Sequence, residues 1–215
     1  MKKIFFAILA VLFTSAAQRA DAQLLDFEGM PPYKLGITAG LNVPTFSGSG
    51  YDYTLGLNAG VDLMVDASDI FDNTFARAVV RYSMKGATGP DPYHTVNFSA
   101  PETHFTSHYI EIPVHYGYAW YLNSDFSIMA ETGPYLAIGL AGTARPDDET
   151  ILESHSFFNS HDASRWDVGW GLQCSLLYDQ QWQVHVAYDW GFKNLNKTFL
   201  QNNGLNVGLT LYFEY

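Results

Sequence analysis

The C-terminal stretch of the chain alternates strictly between large apolar and small or polar side chains. From Leu205 to Tyr215, every odd-numbered residue is large and apolar or aromatic. The even-numbered positions hold glycine, asparagine, threonine and glutamate, with Tyr212 as the one aromatic residue among them. A period of two is typical of a β-strand whose two faces lie in different environments. Small polar residues cover a water-exposed surface poorly but suit a narrow polar interior, so the apolar face is predicted to meet lipid.

The same period recurs along the chain and predicts eight strands. Each predicted strand is at least as long as the ~9–11 residues that a tilted strand needs to cross a bilayer. Single-chain bacterial barrels use an even number of antiparallel strands. The pattern therefore predicts an all-β fold, an eight-stranded antiparallel up-and-down transmembrane β-barrel. The predicted strands are 33–43, 53–65, 74–85, 106–118, 126–140, 165–178, 182–192 and 204–215.

The connections between the predicted strands alternate in length. Those at 66–73, 119–125 and 179–181 are short, whereas those at 44–52, 86–105, 141–164 and 193–203 are longer. With the first strand starting in the periplasm, the short set is periplasmic and the long set is extracellular. Pro113 lies inside the fourth predicted strand. Because proline cannot donate to the ladder and a closed barrel has no free edge, we expect a β-bulge there.

The N-terminal residues have the pattern of a secretory signal peptide. Lys2 and Lys3 precede an apolar run from Ile4 to Phe13, and residues 20–22 form an A-x-A cleavage site. The run is shorter than the ~20 residues that a spanning helix needs. We therefore predict a cleaved signal peptide at 1–22, a short periplasmic lead at 23–32 and a barrel at 33–215.

The composition limits which partners the chain can bind and whether it can form a disulfide. Removing Lys2, Lys3, Arg19 and Asp21 with the signal leaves 8 basic and 21 acidic residues, a net charge of −13. Nucleic acid is disfavoured as a partner because phosphate binding needs a basic face. Cys174 is the only cysteine, so the chain has no internal disulfide. Aromatic residues make up 16% of the chain, a proportion that the two aromatic girdles of a membrane barrel would use.

Motifs in the fourth to seventh predicted strands resemble a known family. The residues that carry this resemblance are 109–114 (Tyr-Ile-Glu-Ile-Pro-Val), 133–135 (Gly-Pro-Tyr), 167–169 (Asp-Val-Gly), Tyr188, Gly191, Asn194 and Leu195. In these motifs the chain is similar to the outer-membrane β-barrel domain proteins of the Bacteroidetes type, which are often described as PorT-like or porin-family proteins. The resemblance implies an eight-stranded barrel in the outer membrane of a Gram-negative bacterium, and no particular activity.

The aromatic C-terminus looks like the assembly signal of bacterial outer-membrane barrels. We assign that role to Leu211, Phe213 and Tyr215. The resemblance implies two partners, the outer-membrane lipid and the barrel-assembly machinery during biogenesis.

No pattern of catalytic or metal-binding residues emerges from the sequence. The seven histidines lack the compact ligand spacing of a zinc site. The acidic run at 147–149 lacks the spacing of a calcium loop. No Gly-x-Ser-x-Gly motif presents a nucleophile. We therefore predict a protein without a metal, a cofactor or an enzymatic activity.

The most organised polar feature is a cluster of charges on the predicted inner face. Arg77, Arg81 and Lys85 on the third strand share that face with carboxylates of other strands. Buried charges must be paired, so we predict a structural plug of ion pairs, with a gated polar path as the alternative. Eight strands leave an interior just wide enough for side chains, which favours the plug. The predicted cluster is Asp62, Arg77, Arg81, Lys85, Glu111, Glu131 and Asp167.

These observations favour a non-enzymatic outer-membrane barrel whose extracellular loops serve surface interaction or envelope integrity. One alternative is a narrow transport pore or a PorT-like accessory of protein secretion. Another is a soluble lipocalin-like binder, which would need its apolar faces turned inward. The sequence names no extracellular or secretion partner.

Overall fold

The structure is a computed structural model of the 215-residue chain. It describes residues 33–91, 102–147, 154–160, 163–195 and 200–213. The predicted signal peptide, the predicted lead and Tyr215 lie outside these residues, and so does most of the acidic run at 147–149.

Eight long antiparallel strands close into a ring. Each of them pairs with its neighbours in the chain, and the last strand pairs with the first. This topology confirms the predicted eight-stranded up-and-down barrel. The elements are β1 (Tyr33–Phe46), β2 (Gly56–Asp66), β3 (Thr74–Pro90), β4 (Glu102–Tyr121), β5 (Phe126–Pro146), a two-residue β6 (His155–Ser156) that pairs with β5, α1 (Phe157–Ser160), β7 (Trp166–Tyr178), β8 (Trp182–Gly191) and β9 (Asn202–Tyr212).

Side chains alternate between the interior and the outer surface along every long strand. Apolar residues on the face that is predicted to meet lipid are about half exposed, for example Leu57 57%, Val61 56%, Leu172 45% and Leu209 54%. Their polar neighbours Asn58, Asp62, Gln173 and Thr210 are buried. The prediction that apolar side chains point outward and polar side chains point into the barrel is therefore confirmed. The lipocalin-like alternative is wrong, because it needs the apolar faces turned inward. No helix in the described part of the chain is long and apolar enough to cross a bilayer.

Three strands extend beyond their predicted ends on the extracellular side. β3 runs to Pro90, β4 begins at Glu102 and β5 runs to Pro146, so the loops predicted from 86 and from 141 begin too early. Backbone pairing continues there while the outward side chains become polar, as at Thr88 and His104. The prediction relied on an apolar outer row, which ends where the strands leave the lipid. The other strand bounds agree with the prediction within three residues.

The expected β-bulge at Pro113 is wrong. The register between β3 and β4 is the same on both sides of Pro113, and only the pairing beside it is interrupted. The irregularity lies instead between His108 and Tyr109, opposite Leu140, which is the extra residue of β5. Leu140 and the next residue are both exposed, so the bulge resets the inside–outside alternation of β5 above this point.

Candidate functional site in the barrel interior

A ladder of three cations projects from β3 into the barrel. Arg77, Arg81 and Lys85 are spaced four residues apart, so their side chains leave the same face of the strand. Successive members lie about 13 Å apart along the strand. All three are at least nine-tenths buried. Because an isolated buried charge is far too costly, each cation requires a carboxylate partner.

Arg77 is held by two carboxylates at the periplasmic end of the ladder. Its Nε donates to Asp62 Oδ2 at 2.8 Å, and its Nη2 forms an ion pair with the same oxygen. Its Nη1 donates to Glu131 Oε1 at 2.9 Å. The same glutamate oxygen lies 3.2 Å from His115 Nδ1. This group therefore ties β2, β3, β4 and β5 together through their inner faces.

Arg81 connects opposite walls of the barrel. Its Nε donates to Glu111 Oε1 of the neighbouring strand at 2.8 Å, and Nη2 also pairs with that glutamate. Nη2 further donates to Asp189 Oδ2 of β8 at 2.9 Å. Asp189 is a member of the cluster that the sequence analysis missed. Its place on the polar face of its strand was visible, but its distance from Arg81 depends on how the ring closes.

Lys85 lies in an aromatic and acidic setting towards the extracellular end. Its Nζ pairs with Glu111 Oε2 and lies 3.4 Å from Asp167 Oδ2. The ammonium group is 4.4 Å from the centre of the Tyr135 ring, within the range of a cation–π interaction. Asp167 Oδ2 also accepts a hydrogen bond from Asn202 Nδ2 at 2.9 Å.

The motifs that carry the family resemblance meet around Lys85. Glu111 belongs to the first of them, Tyr135 to the second and Asp167 to the third. Tyr135 also faces Gly169 in the ladder between β5 and β7. A Cβ at position 169 would lie 2.5 Å from Tyr135 Cε1, so this glycine leaves the room that the aromatic ring occupies.

Apolar clusters close the interior above and below the charges. The periplasmic cluster is Met64, Phe75, Ala119, Met129, Leu177 and Tyr212. The extracellular cluster includes Phe46 and Phe105 from the strands and Phe157 and Phe158 from α1. The sequence analysis missed this use of α1, because a four-residue helix within a long connection leaves no periodic signal.

Amide side chains fill the remaining interior near β1 and β9. Asn58 Nδ2 and Asn206 Nδ2 both donate to Asn42 Oδ1 at 2.7 Å. Asn42 in turn donates to Ser83 Oγ at 3.1 Å, and Asn206 Oδ1 lies 3.1 Å from His185 Nε2. The alternation along the sequence puts these asparagines on polar faces, but the sequence analysis did not assign them to a network. Hydrogen-bonded networks of this kind help to fix the register of neighbouring strands.

The structure thus brings all seven predicted cluster residues into the interior, together with Asp189 and His115. Of the predicted assembly signal, Leu211 pairs with Trp182 of β8 on one side and with Ile37 of β1 on the other, and Phe213 is 46% exposed. Within the described residues, no group of three or more His, Cys, Asp or Glu side chains is arranged to hold a metal ion. The arrangement can join strands and fill the lumen.

An alternating barrel wall, an apolar outer surface and a charged, sealed interior define an integral outer-membrane β-barrel protein. Comparison with family models agrees: residues 21–197 match the family described as outer membrane protein beta-barrel domain. The chain belongs to this family and lies in the outer membrane of a Gram-negative bacterium.

Solved outer-membrane barrels are similar in fold, at low sequence identity. Neisserial surface protein A is 14% identical, with a TM-score of 0.48, and the match covers 83% of this chain and 97% of that chain. The attachment invasion locus protein Ail of Yersinia pestis is 12% identical, with a TM-score of 0.41, and the match covers 84% and 98%. The N-terminal barrel domain of Pseudomonas aeruginosa OprF is 9% identical, with a TM-score of 0.34, and the match covers 82% and 97%. No curated protein matches the chain.

Proposed function

We propose that this protein is a non-enzymatic outer-membrane barrel that acts through its extracellular face, in surface interaction or envelope integrity. One observation carries the proposal: the described interior is filled along its length. Charges occupy its middle, and apolar clusters that include Phe75 and Phe157 occupy its two ends. A barrel packed in this way offers a solute no ready path, so its function is best served by the surface outside the lipid.

The strand extensions support an extracellular site of action. β3, β4 and β5 continue as a paired sheet to Pro90, Glu102 and Pro146. Their outward side chains there are mostly polar, and the connections that follow them are the longest in the chain. Long extracellular connections on a rigid barrel are where such proteins carry recognition residues.

The absence of enzymatic activity is also part of the proposal. Asp62, Glu111 and Asp167 have no exposed surface. Each of them is engaged by an arginine or a lysine, so these carboxylates act as structural partners and are closed to a substrate.

The mature protein is proposed to begin at Gln23, after removal of residues 1–22, with 23–32 as a periplasmic lead before the barrel at 33–215. The A-x-A site at 20–22 supports this cleavage. The start of β1 at Tyr33, beside the periplasmic end of β2, fits a lead on that side of the membrane.

A PorT-like role in protein secretion is the second candidate. The observation that favours it is that the three motifs that resemble the PorT-like family meet around Lys85. The matching residues therefore lie together in one part of the interior. A secretion accessory would meet its partners from the periplasm, whereas a surface protein would meet them outside the cell.

Site-specific photo-crosslinking in intact cells separates the two candidates. A crosslinker at Glu102 or Thr143 reports on the extracellular sheet, and one at Asp125 reports on a periplasmic turn. We expect specific protein or polysaccharide adducts from the extracellular positions. The crosslinked protein should be the mature chain, which is expected to begin at Gln23. Adducts found only at Asp125 would contradict the surface proposal and favour secretion.

A further inference from the structure

A small cavity lies in the middle of the barrel, where both Arg77 and Arg81 line it. It leaves about 10 Å³ for the centre of a water molecule. One buried water needs roughly 10–15 Å³ by the same measure. All of the residues that line the cavity are buried, so it lies within the lumen. The cavity therefore has room for a single small molecule.

Four polar atoms on the lining residues have no hydrogen-bond partner within the described part of the chain. Three are nitrogens, Gln173 Nε2, His115 Nε2 and His185 Nδ1, and the fourth is Glu131 Oε2. Each of these residues is at most 7% exposed, so bulk water does not reach them. Buried polar atoms in folded proteins are normally met by a protein group or by an ordered water. Their concentration around one cavity indicates a ligand there.

His115 and Gln173 each contribute one nitrogen to the cavity. His115 Nδ1 lies 3.2 Å from Glu131 Oε1. Because a carboxylate oxygen accepts, Nδ1 carries a hydrogen, and Nε2 is the nitrogen left for the cavity. Gln173 Nε2 is an amide nitrogen, which donates and cannot accept. The ligand must therefore contain a hydrogen-bond acceptor.

His185 contributes an acceptor from the opposite side of the ring of strands. Its Nε2 lies 3.1 Å from Asn206 Oδ1, so Nε2 carries a hydrogen. Arg77 and Arg81 line the same cavity and oppose a further positive charge, which keeps the His185 ring neutral. In a neutral imidazole the other nitrogen accepts, and here that nitrogen is Nδ1. The ligand must therefore contain a hydrogen-bond donor as well.

This combination of donor and acceptor excludes an ion as the ligand. A cation would meet the N–H of Gln173 and the two arginines. An anion would bring no hydrogen to His185 Nδ1 and would lie beside the Glu131 carboxylate. Water is neutral, both donates and accepts, and fits the volume.

We propose that the cavity binds one water molecule, which accepts from Gln173 Nε2 and donates to His185 Nδ1, with His115 Nε2 as its third partner. Buried waters typically make about three hydrogen bonds of this kind. The three residues belong to β7, β8 and β4. The bound water thus joins strands that face one another across the lumen.

The water site lies beside a segment of β4 whose backbone pairing is interrupted on both sides. Pairing with β3 is missing at Ile112 and Pro113, and pairing with β5 is missing at Val114 and His115, next to Pro134. Proline has no N–H to donate to a ladder. His115 is itself in the interrupted segment, so the water ties this part of β4 to the opposite wall.

A high-resolution crystal structure of the full-length mature protein tests the proposal. One ordered water should lie about 2.7–3.2 Å from Gln173 Nε2 and from His185 Nδ1. A cavity without an ordered water would overturn the proposal, and so would direct bonds from these two nitrogens to other protein groups. This comparison needs no variant, so it does not depend on the folding of one.

Two substitutions of buried glutamines show whether the water depends on the assigned donor. Gln173→Leu removes the donor at nearly constant side-chain size, and the water should be lost. Gln183→Leu is the matched control, because Gln183 is also buried but donates to Ser175 Oγ at 2.7 Å outside the cavity. It should keep the water. Retention of the water in Gln173→Leu would overturn the assignment of its partners.

Crystals grown with bromide in place of chloride distinguish water from an anion. Bromide is located by its anomalous scattering, and we expect none in the cavity. A bromide peak there would overturn the proposal, since the site would then bind an anion.

Nuclear magnetic resonance of ¹⁵N-histidine-labelled protein in lipid nanodiscs provides the same test in a bilayer. His185 Nδ1 should be unprotonated and should show a cross-peak to water, with the signal assigned by its loss in His185→Gln. The cross-peak should disappear in Gln173→Leu and persist in Gln183→Leu. A protonated Nδ1 in the parent protein would contradict the proposed role of this nitrogen as an acceptor.

Discussion

Arg81 shows how single residues hold this barrel together. Its guanidinium contacts Glu111 on the adjacent strand and Asp189 across the lumen. Removal of one partner from a buried ion pair leaves a charge without compensation, and that cost exceeds the net value of the pair. Loss of Arg81 should therefore destabilise the barrel mainly because it leaves buried carboxylates without a cationic partner, and less because the attraction of the ion pair is lost.

Replacing Arg81 by methionine should lower the free energy of unfolding by about 3–5 kcal/mol, because Glu111 and Asp189 would each lose a cationic partner. Exchanging the charges in Arg81→Glu with Glu111→Arg should recover part of the loss, and a double-mutant cycle measures the coupling. Urea unfolding of vesicle-inserted protein provides the readout. Arg145→Met, the same change at an exposed arginine, serves as the control and should cost under about 0.5 kcal/mol. Equal effects at the two positions would rule out a buried pair.

Among the elements, α1 makes the least expected contribution. Its two phenylalanines enter the barrel mouth and pack on β5. Gly139 leaves the space that one of these rings occupies, since a Cβ at this position would lie 2.3 Å from Phe158 Cζ. The extracellular connection between β5 and β7 is therefore part of the core, in addition to being a surface loop.

Phe158→Ala should destabilise the protein by about 3 kcal/mol, because truncating a buried phenylalanine removes apolar contacts and leaves a cavity. The matched control is Phe192→Ala, at a phenylalanine that is 61% exposed, and it should change stability little. Thermal unfolding in detergent micelles compares the two variants. If Phe158→Ala were as mild as the control, α1 would not be a part of the core.

At the scale of the whole molecule, the number of strands, the face on which each side chain lies and the closure of the barrel could be predicted from the sequence. The reason is that one face of the wall meets lipid and the other the lumen, so each strand shows a clear alternation of apolar and polar residues. Leu57 and Asn58 illustrate this, since adjacent positions meet lipid and lumen. The pairing of Arg81 with Asp189 could not be predicted, because it depends on the distance across a closed ring. The extension of β5 to Pro146 could not be predicted either, because the outer row loses its apolar signal where the strand leaves the lipid.

The charges and the two apolar clusters together predict a barrel that is closed along its axis. Arg77, Arg81 and Lys85 project across the lumen, and Tyr212 and Phe157 lie in the clusters beneath and above them. An eight-stranded barrel has an interior that side chains can fill, and here they fill it.

Conductance of the purified, unmodified protein in planar lipid bilayers tests this closure most directly. Insertion is verified separately by protease protection of the strands, so that a silent bilayer is known to contain protein. The account predicts no steady current above the lipid baseline under an applied voltage. Large, stable open channels from the unmodified protein would contradict the sealed interior and would make transport its function.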